Sequence, residues 1–268
     1  MKRLVAYLLA SSLCLLGCTA SLSMPPQVAQ PDKNTEEIKP FNLFDEWFIR
    51  TTTENDPYPS VCSLHRFSGS LVGSGILIRP DVVLTAGHCI DDDDIFSVVI
   101  GQEEIMVKDI VLHPRYSDSS GRIINDVGLI FLECDSVYEP ATIGCIEWIE
   151  RYEHITTVGY SMGYKKYSKH GVFKFFGRVM TEPNYMKFIP RPASVMPGDS
   201  GGGVFVKYGD VEYVIGIISS YSVVQLYNGQ RTISECSAAV ISNYLNWIDT
   251  EILKNEIRTI DTVNEDGR

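Results

Sequence analysis

Short runs of hydrophobic residues recur along most of the chain, and polar turn residues close each run. Runs of this length, rich in branched and aromatic residues, are typical of β-strands. They predict strands at residues 70–78, 82–85, 96–100, 105–112, 127–132, 155–159, 172–180, 204–207, 211–218 and 232–240. Many short strands with little helix between them predict an all-β barrel or sandwich protein.

The last part of the chain follows a different period. Apolar residues recur there at spacings of three and four: Ile241, Tyr244, Leu245, Ile248, Ile252 and Leu253. This spacing places them on one face of a helix. We therefore expect one amphipathic helix to close the fold at its C-terminal end.

The first residues resemble an export signal. A basic start precedes an apolar run over residues 4–16, which is too short to span a membrane and is followed by small residues. The letters Leu-Leu-Gly before Cys18 resemble the lipobox of bacterial lipoproteins. We therefore expect a signal peptide at 1–18 and lipid attachment at Cys18. Cleavage after Ala20, without lipid, is the alternative.

The remaining chain divides by composition. Residues 19–45 are rich in proline, serine, glutamine and charge, which is typical of a flexible tether. The strands and the closing helix assign one domain to 46–258, and a polar tail follows at 259–268. We expect this domain to be exported and lipid-anchored to a membrane of the periplasm or cell envelope, or secreted if Cys18 carries no lipid.

Charge and spacing exclude several classes of partner. The chain has 23 Lys and Arg against 34 Asp and Glu, for a net charge of −11, which makes nucleic acid an improbable ligand. No Cys-x-x-Cys pair marks a zinc site, and the acidic run at 91–94 lacks the glycine and the terminal glutamate of a calcium loop. We expect no metal, no cofactor and a monomer.

Three segments carry residues suited to acyl transfer, which needs a nucleophile, a base and donors for an oxyanion. His88 follows an apolar run, and Asp126 precedes one. Taken singly, a core histidine and an Asn-Asp turn are ordinary alternatives for these two. In Gly-Asp-Ser-Gly-Gly at 198–202, the glycines allow a tight turn that exposes Ser200. They leave the N–H groups of Gly198 and Ser200 to face an oxyanion.

In the order His, Asp, Ser, these segments resemble the signature set of the trypsin and chymotrypsin family. The resemblance implies two packed antiparallel six-stranded β-barrels with a C-terminal α-helix. It also implies a serine endopeptidase in which Ser200 attacks the peptide carbonyl, His88 moves the proton and Asp126 orients His88. An α/β-hydrolase is excluded, because its histidine follows its serine and all 5 histidines here precede Ser200.

The resemblance also implies a substrate-binding set. Ser219 ends the strand that pairs with the substrate backbone in the family. Ser194 occupies the base of the specificity pocket, where trypsin has an aspartate, while Tyr221 and Cys236 fall near its wall and floor. Because the last two would narrow the pocket, we expect a small or medium apolar side chain before the cleaved bond.

Cysteines depart from the family pattern. The usual partner of the cysteine after the catalytic histidine is replaced here by Gly73. Cys62 lies on the strand expected beside this region, so a Cys62–Cys89 pair is expected instead. A Cys134–Cys145 pair is expected from proximity in sequence, which leaves Cys236 as the remaining thiol.

Activation is a second departure. The family pairs the acid at Asp199 with a new N-terminus, and the residues near 48–53 offer no matching cleavage sequence. Asp199 is therefore expected to pair with an internal cation, or activation uses another site.

Two other functions stay open at this point. A protease-like fold with a silent site could act as a binding module of the cell envelope. The same chemistry could also hydrolyse esters or cell-envelope peptides, because the acyl-transfer step is shared.

Overall fold

The computed structural model describes residues 49–50, 56–92, 94–119, 122–145, 155–161, 164–170, 184–188, 195–225 and 231–266. Within them are sixteen strands and one α-helix, α1 (Leu245–Asp266). The strands are β1 (Ile49–Arg50), β2 (Val61–Arg66), β3 (Leu71–Arg79), β4 (Val82–Thr85), β5 (Ile95–Ile100), β6 (Glu103–Leu112), β7 (Ser117–Ser119), β8 (Arg122–Ile124), β9 (Gly128–Leu132), β10 (Thr142–Ile143), β11 (Ile155–Ser161), β12 (Tyr164–His170), β13 (Tyr185–Phe188), β14 (Gly203–Tyr208), β15 (Val211–Gln225) and β16 (Arg231–Val240).

The first half of the domain is a closed antiparallel barrel with the strand order β2-β3-β4-β9-β6-β5. Fully buried apolar side chains of its strands include Leu64, Ile76, Leu84, Leu129 and Ile130, and because neighbours on a strand point to opposite faces, both faces of these strands are covered. Closure leaves no strand edge unpaired around this barrel.

The second half forms an eight-stranded sheet with the order β1-β12-β11-β14-β15-β16-β13, and β10 pairs beside β15. Its own apolar cluster includes Ile155, Phe188, Val204, Ile215 and Ala238. The all-β fold predicted from the sequence is confirmed. Where a second six-stranded barrel was expected, the described residues form this eight-stranded sheet, in which β1 and β10 are added to the six strands β11 to β16.

The predicted C-terminal helix is also confirmed. A short 3-10 turn, Ile241–Asn243, precedes α1, whose residues Ile248 and Ile252 pack into the apolar cluster of the first barrel. The helix continues to Asp266, so most of the predicted polar tail lies in its last turns. Within the described residues, no helix has both the length and the apolar content needed to cross a membrane.

The chain entering the first barrel is tied to the second sheet. β1 pairs with β12, and the ammonium group of Lys165 on β12 lies 2.5 Å from Asp56 Oδ2 and 2.6 Å from the carbonyl oxygen of Tyr58. The Tyr58 ring packs on Phe205 of β14 with 4.8 Å between ring centroids. This ion pair is largely buried, with Lys165 6% and Asp56 13% exposed.

The expected disulfides are not formed among the cysteines of the described chain. The sulfurs of Cys62 and Cys89 pack over two different glycines of β3. A Cβ placed on Gly75 would lie 3.0 Å from Cys62 Sγ, and one on Gly73 would lie 2.7 Å from Cys89 Sγ. Positions two residues apart on one face of a strand are roughly 7 Å apart, so each thiol fills its own gap.

The other expected pair was also wrong. Cys134 is exposed, and its thiol forms no bond with that of Cys145. Proximity in sequence alone was the basis for that pair, and it does not fix the direction of two side chains.

Several expectations fall outside the described residues. They are the signal peptide with Cys18, the tether, the strand at 172–180 and the pocket residue Ser194.

Candidate active site

His88 and Asp126 form a pair that is joined by two hydrogen bonds at one end of the first barrel. His88 lies in a single 3-10 turn, Gly87–Cys89, directly after β4, and Asp126 lies just before β9. They lie close together because β4 pairs with β9, and this pairing places Thr85 opposite Gly128. His88 Nδ1 is 2.8 Å from Asp126 Oδ2, and the His88 backbone N–H donates to Asp126 Oδ1 at 2.8 Å.

This geometry fixes the imidazole. An ionised carboxylate only accepts hydrogen bonds, so Nδ1 of His88 carries the proton and donates to Asp126. The other ring nitrogen, Nε2, is then the basic one in the neutral ring. The backbone bond from the same residue holds the ring and the carboxylate in one orientation.

The carboxylate of Asp126 is fully buried and accepts a third bond. The hydroxyl of Ser219 on β15 donates to Asp126 Oδ2 at 2.5 Å. A buried carboxylate is stable only when donors replace its water shell, and these three donors do so. The side chain of Ser219, which is 3% exposed, therefore serves the acid, while its backbone remains part of the strand expected to pair with substrate.

The backbone at Asp126 is held as well. Asn125 has a positive φ of 49°, and its side chain donates from Nδ2 to the carbonyl of Arg115 and accepts from Asn184 Nδ2 at 3.2 Å. The N–H of Asp126 donates to the hydroxyl of Tyr185 at 2.9 Å. Tyr185 on β13 and Asn184 just before it both belong to the second half of the domain. The second half therefore helps to set the position of Asp126.

The electrostatics of the pair favour a charged imidazole. Burial lowers the pKa of His88, but the hydrogen bond to Asp126, followed by the neighbouring Cys89 thiol, outweighs burial and raises it above the usual value. The buried carboxylate thus stabilises the imidazolium ion, which is the form that arises when a histidine takes a proton from a nucleophile.

Ser200 lies in a tight turn between two glycines with positive φ. Gly198 has φ 97° and Gly201 has φ 83°, and both angles are strained for any residue with a Cβ. A Cβ on Gly201 would also overlap the carbonyl oxygen of Ser74. The turn is closed by Asp199 N–H donating to the Met196 carbonyl at 3.0 Å. The glycines at 198 and 201 are therefore required by the backbone of this turn.

The turn lies against the histidine segment. The carbonyl oxygen of Ser200 accepts the N–H of Ser74 at 2.7 Å, and the thiol of Cys89 lies 3.6 Å from the same oxygen. Cys89 directly follows His88 in the chain. The three segments predicted from the sequence are therefore neighbours, with His88 and Asp126 from the first barrel and Ser200 from the second half.

Asp199 is buried, with 2% exposure, beneath this turn. Its Oδ2 accepts the backbone N–H of Met196 at 2.8 Å, and its Oδ1 lies close to the α-carbon side of Gly159. The bond to Met196 shapes the residues that lead into the turn. The expected internal cation for Asp199 stays a prediction.

The described pocket residues lie on β15 and β16. Tyr221 is 40% exposed and pairs in register with Cys236, which is fully buried beside Phe188 and Val195 in the second apolar cluster. Tyr221 can thus meet a ligand, whereas Cys236 contributes to the core.

Two residues of this site were not expected from the sequence. Tyr185 carries no local signal, because its role depends on a contact with Asp126 across the two halves. Ser74 stands between Gly73 and Gly75 on β3. Glycines inside a strand indicate close approach of another backbone, and that signal could have pointed to this position.

Comparison with known proteins identifies the family of this chain. The family described as "Trypsin-like peptidase domain" matches residues 73–217, more than half of the 268 residues, and the chain belongs to that family. The match includes the positions of His88, Asp126 and Ser200.

Individual relatives are more distant. The chain is 26% identical over 180 residues to a "Probable periplasmic serine endoprotease DegP-like" of Marinomonas sp. (strain MWYL1), covering 66% of this chain and 35% of the relative. It is 27% identical over 171 residues to the protein of the same name from Pseudomonas fulva (strain 12-X), covering 63% and 33%. A third, from Pseudomonas putida (strain GB-1), is 28% identical over 171 residues. The chain spans about a third of the length of these curated relatives.

Proposed function

We propose that this protein is a serine endopeptidase that cleaves peptide bonds through an acyl-enzyme intermediate. The observation that carries the proposal is the pair of His88 and Asp126, which is joined by two hydrogen bonds and lies in a segment that contacts the glycine turn containing Ser200. Membership of the trypsin-like peptidase family supports it.

In this mechanism, Oγ of Ser200 attacks the scissile carbonyl while Nε2 of His88 removes its proton. Asp126 stabilises the imidazolium that forms. The N–H groups of Gly198 and Ser200 donate to the oxyanion. His88 then returns the proton to the leaving amine, and water attacks the acyl-enzyme by the same route in reverse.

Substrate and place follow as further parts of the proposal. The relatives are named as periplasmic endoproteases, which supports an exported enzyme acting on polypeptides in the periplasm or cell envelope. Lipid attachment at Cys18 would hold it at a membrane. Tyr221, at the position that the family resemblance places on the pocket wall, is exposed and can meet a ligand, and it is the basis for a preference for a small or medium apolar residue before the cleaved bond. The enzyme would act as a monomer.

A fluorophosphonate probe tests the nucleophile. The purified protein without residues 1–18 is treated with the probe and mapped by mass spectrometry. We expect the label on Ser200, and we expect His88→Ala to abolish it. His65→Ala is the matched control, because His65 lies in the same barrel and, among the described residues, its ring bonds to Ser63 and the carbonyl of Gly69 and not to Asp126. This variant should label like the wild type.

Internally quenched peptides then separate endopeptidase from esterase activity. Mass spectrometry of the products should show cleavage within the peptide chain. A folded protein that takes no label at any probe concentration would contradict the proposal and favour the binding module. Labelling with hydrolysis of esters alone would replace the peptidase by an esterase.

A further inference from the structure

Ser74 makes hydrogen bonds to three separate segments, although it is fully buried and was not among the expected site residues. Its N–H donates to the carbonyl of Ser200 at 2.7 Å, and its own carbonyl accepts the hydroxyl of Thr85 at 2.7 Å. Its hydroxyl donates to the carbonyl of Gly198 at 2.7 Å and lies 2.8 Å from the backbone N–H of Tyr160.

The direction of the hydroxyl follows from its partners. A serine hydroxyl has one proton to donate and lone pairs to accept. The N–H of Tyr160 can only donate, and the carbonyl of Gly198 can only accept. The proton of Ser74 therefore points to Gly198, while its oxygen accepts from Tyr160. A single rotamer serves both partners, and the group connects β3, the nucleophile turn and β11.

Both carbonyl groups that Ser74 holds belong to the residues proposed to bind the oxyanion. The hydroxyl holds Gly198, and the N–H holds Ser200. A hydrogen bond that fixes a backbone carbonyl restricts the ψ angle of the residue that carries it. This matters most at Gly198, whose φ of 97° lies in a region where glycine moves freely between wells. Without such a bond, the backbone donors at this turn have alternative orientations.

We propose that Ser74 is a positioning residue, whose hydroxyl holds the oxyanion-binding turn in its working conformation. This inference rests on the proposed serine endopeptidase function. Ser74 would touch neither substrate nor the reacting atoms. Its effect would come from donors that are already in place when negative charge develops on the substrate oxygen.

The test compares Ser74→Ala with Ser63→Ala. Ser63 lies directly opposite Ser74 in the β2–β3 ladder, is 3% exposed, and its hydroxyl bonds to His65 instead of the turn. Both variants therefore remove one buried hydroxyl from adjacent strands. Peptide hydrolysis gives kcat and KM for each, and thermal unfolding gives the folded fraction at the assay temperature.

For Ser74→Ala, we expect kcat to fall about 10- to 100-fold with KM changed by less than roughly 3-fold, since a misplaced oxyanion donor weakens the transition state and not the ground state. A peptide boronic acid, which forms a tetrahedral adduct with the serine, should lose affinity by a similar factor. The acid limb of the pH profile should stay in place, because the His88–Asp126 pair is untouched. Ser63→Ala should behave like the wild type.

A second variant, Ser74→Cys, keeps the side-chain shape and replaces the donor by a weak one, so it covers the case in which the alanine variant does not fold. It should show the same loss of kcat. If either folded variant keeps wild-type kcat and boronate affinity, the serine is only structural and the inference is wrong. If the wild type itself neither takes the fluorophosphonate nor cleaves peptides, the proposed function fails instead.

Discussion

The buried ion pair of Lys165 and Asp56 offers a direct test of how the two halves are joined. The variant Lys165→Met removes the cation and keeps most of the apolar stem. In the wild-type protein, the ammonium group of Lys165 contacts Asp56 and the Tyr58 carbonyl, and the Lys165 side chain is 6% exposed. The variant therefore removes the cation from a largely buried carboxylate, and it removes one of the donors to the Tyr58 carbonyl, in a place that little water reaches.

The magnitude follows from that burial. Removing one partner of a buried pair costs about 3–5 kcal/mol, because the other charge stays desolvated. Domains are stable by only about 5–15 kcal/mol, so this is a large part of the total. At about 2–4 °C per kcal/mol for a domain of this size, the unfolding midpoint should fall by roughly 6–20 °C.

Thermal and urea unfolding of the purified domain measure the effect. Lys254→Met is the matched control, since Lys254 also pairs with an acid, Glu251, at 2.7 Å, but its side chain is 57% exposed. Removal of a surface pair costs about 0–1 kcal/mol.

A second variant refines the cycle. Asp56→Asn removes the charge and keeps the oxygen that accepts the Tyr58 N–H at 2.9 Å. Combined with Lys165→Met, it should recover part of the lost stability, because no buried charge is left alone. Equal unfolding midpoints for Lys165→Met and Lys254→Met would refute the claim that the pair joins the two halves.

Three further predictions concern the site. Because the pKa of His88 is raised and the base must be neutral, kcat/KM should rise with pH through a limb above the ordinary histidine value of 6.5. The same shift makes the contribution of His88 to stability complete below pH 6.5 and lost as pH rises through the raised pKa. Asp126→Asn should lower kcat by about 10⁴-fold, because the amide favours the wrong imidazole tautomer. Gly73→Cys should form a disulfide with Cys89, whose sulfur lies 2.7 Å from the new Cβ, and under oxidising conditions it should be about 2–4 kcal/mol more stable than Gly73→Ser, in which the new Cβ also lies 2.9 Å from the Ser200 carbonyl oxygen.

Each of these has a simple check. An acid limb at or below pH 6.5 would contradict the raised pKa of His88. Unchanged kcat in a folded Asp126→Asn protein would remove the acid from the mechanism. The engineered disulfide is read by the loss of one maleimide-reactive thiol in denaturant, and Gly73→Ser is its control, because it adds a similar side chain without a bond.

The sequence predicted the strands best where burial alone decides them. The run at 82–85 has the same bounds in the structure, where all four residues are buried, because β4 lies between two barrel neighbours. The strand predicted at 211–218 is shorter than the observed strand, because β15 continues to Gln225. Beyond residue 218 pairing with β16 maintains the strand, and the apolar pattern no longer shows it.

The candidate site divides in the same way. His88, Asp126 and Ser200 could be found because each stands in a local motif whose backbone requirements are written in adjacent residues. The roles of Ser74 and Tyr185 depend on contacts between distant segments, and one sequence carries no record of them. The expected disulfides failed for that reason too, because the direction of a cysteine side chain is a property of the assembled fold.

Two buried thiols of the first barrel, Cys62 and Cys89, can report how often the barrel opens. Cys62 is fully buried, and burial raises its pKa to about 12, so it exists as the unreactive protonated thiol. Cys89 is 4% exposed. Alkylating reagents attack only a thiolate that they can reach. The rate at which such a reagent modifies Cys62 in native buffer should therefore measure how often the barrel opens, without any change to the sequence of the protein.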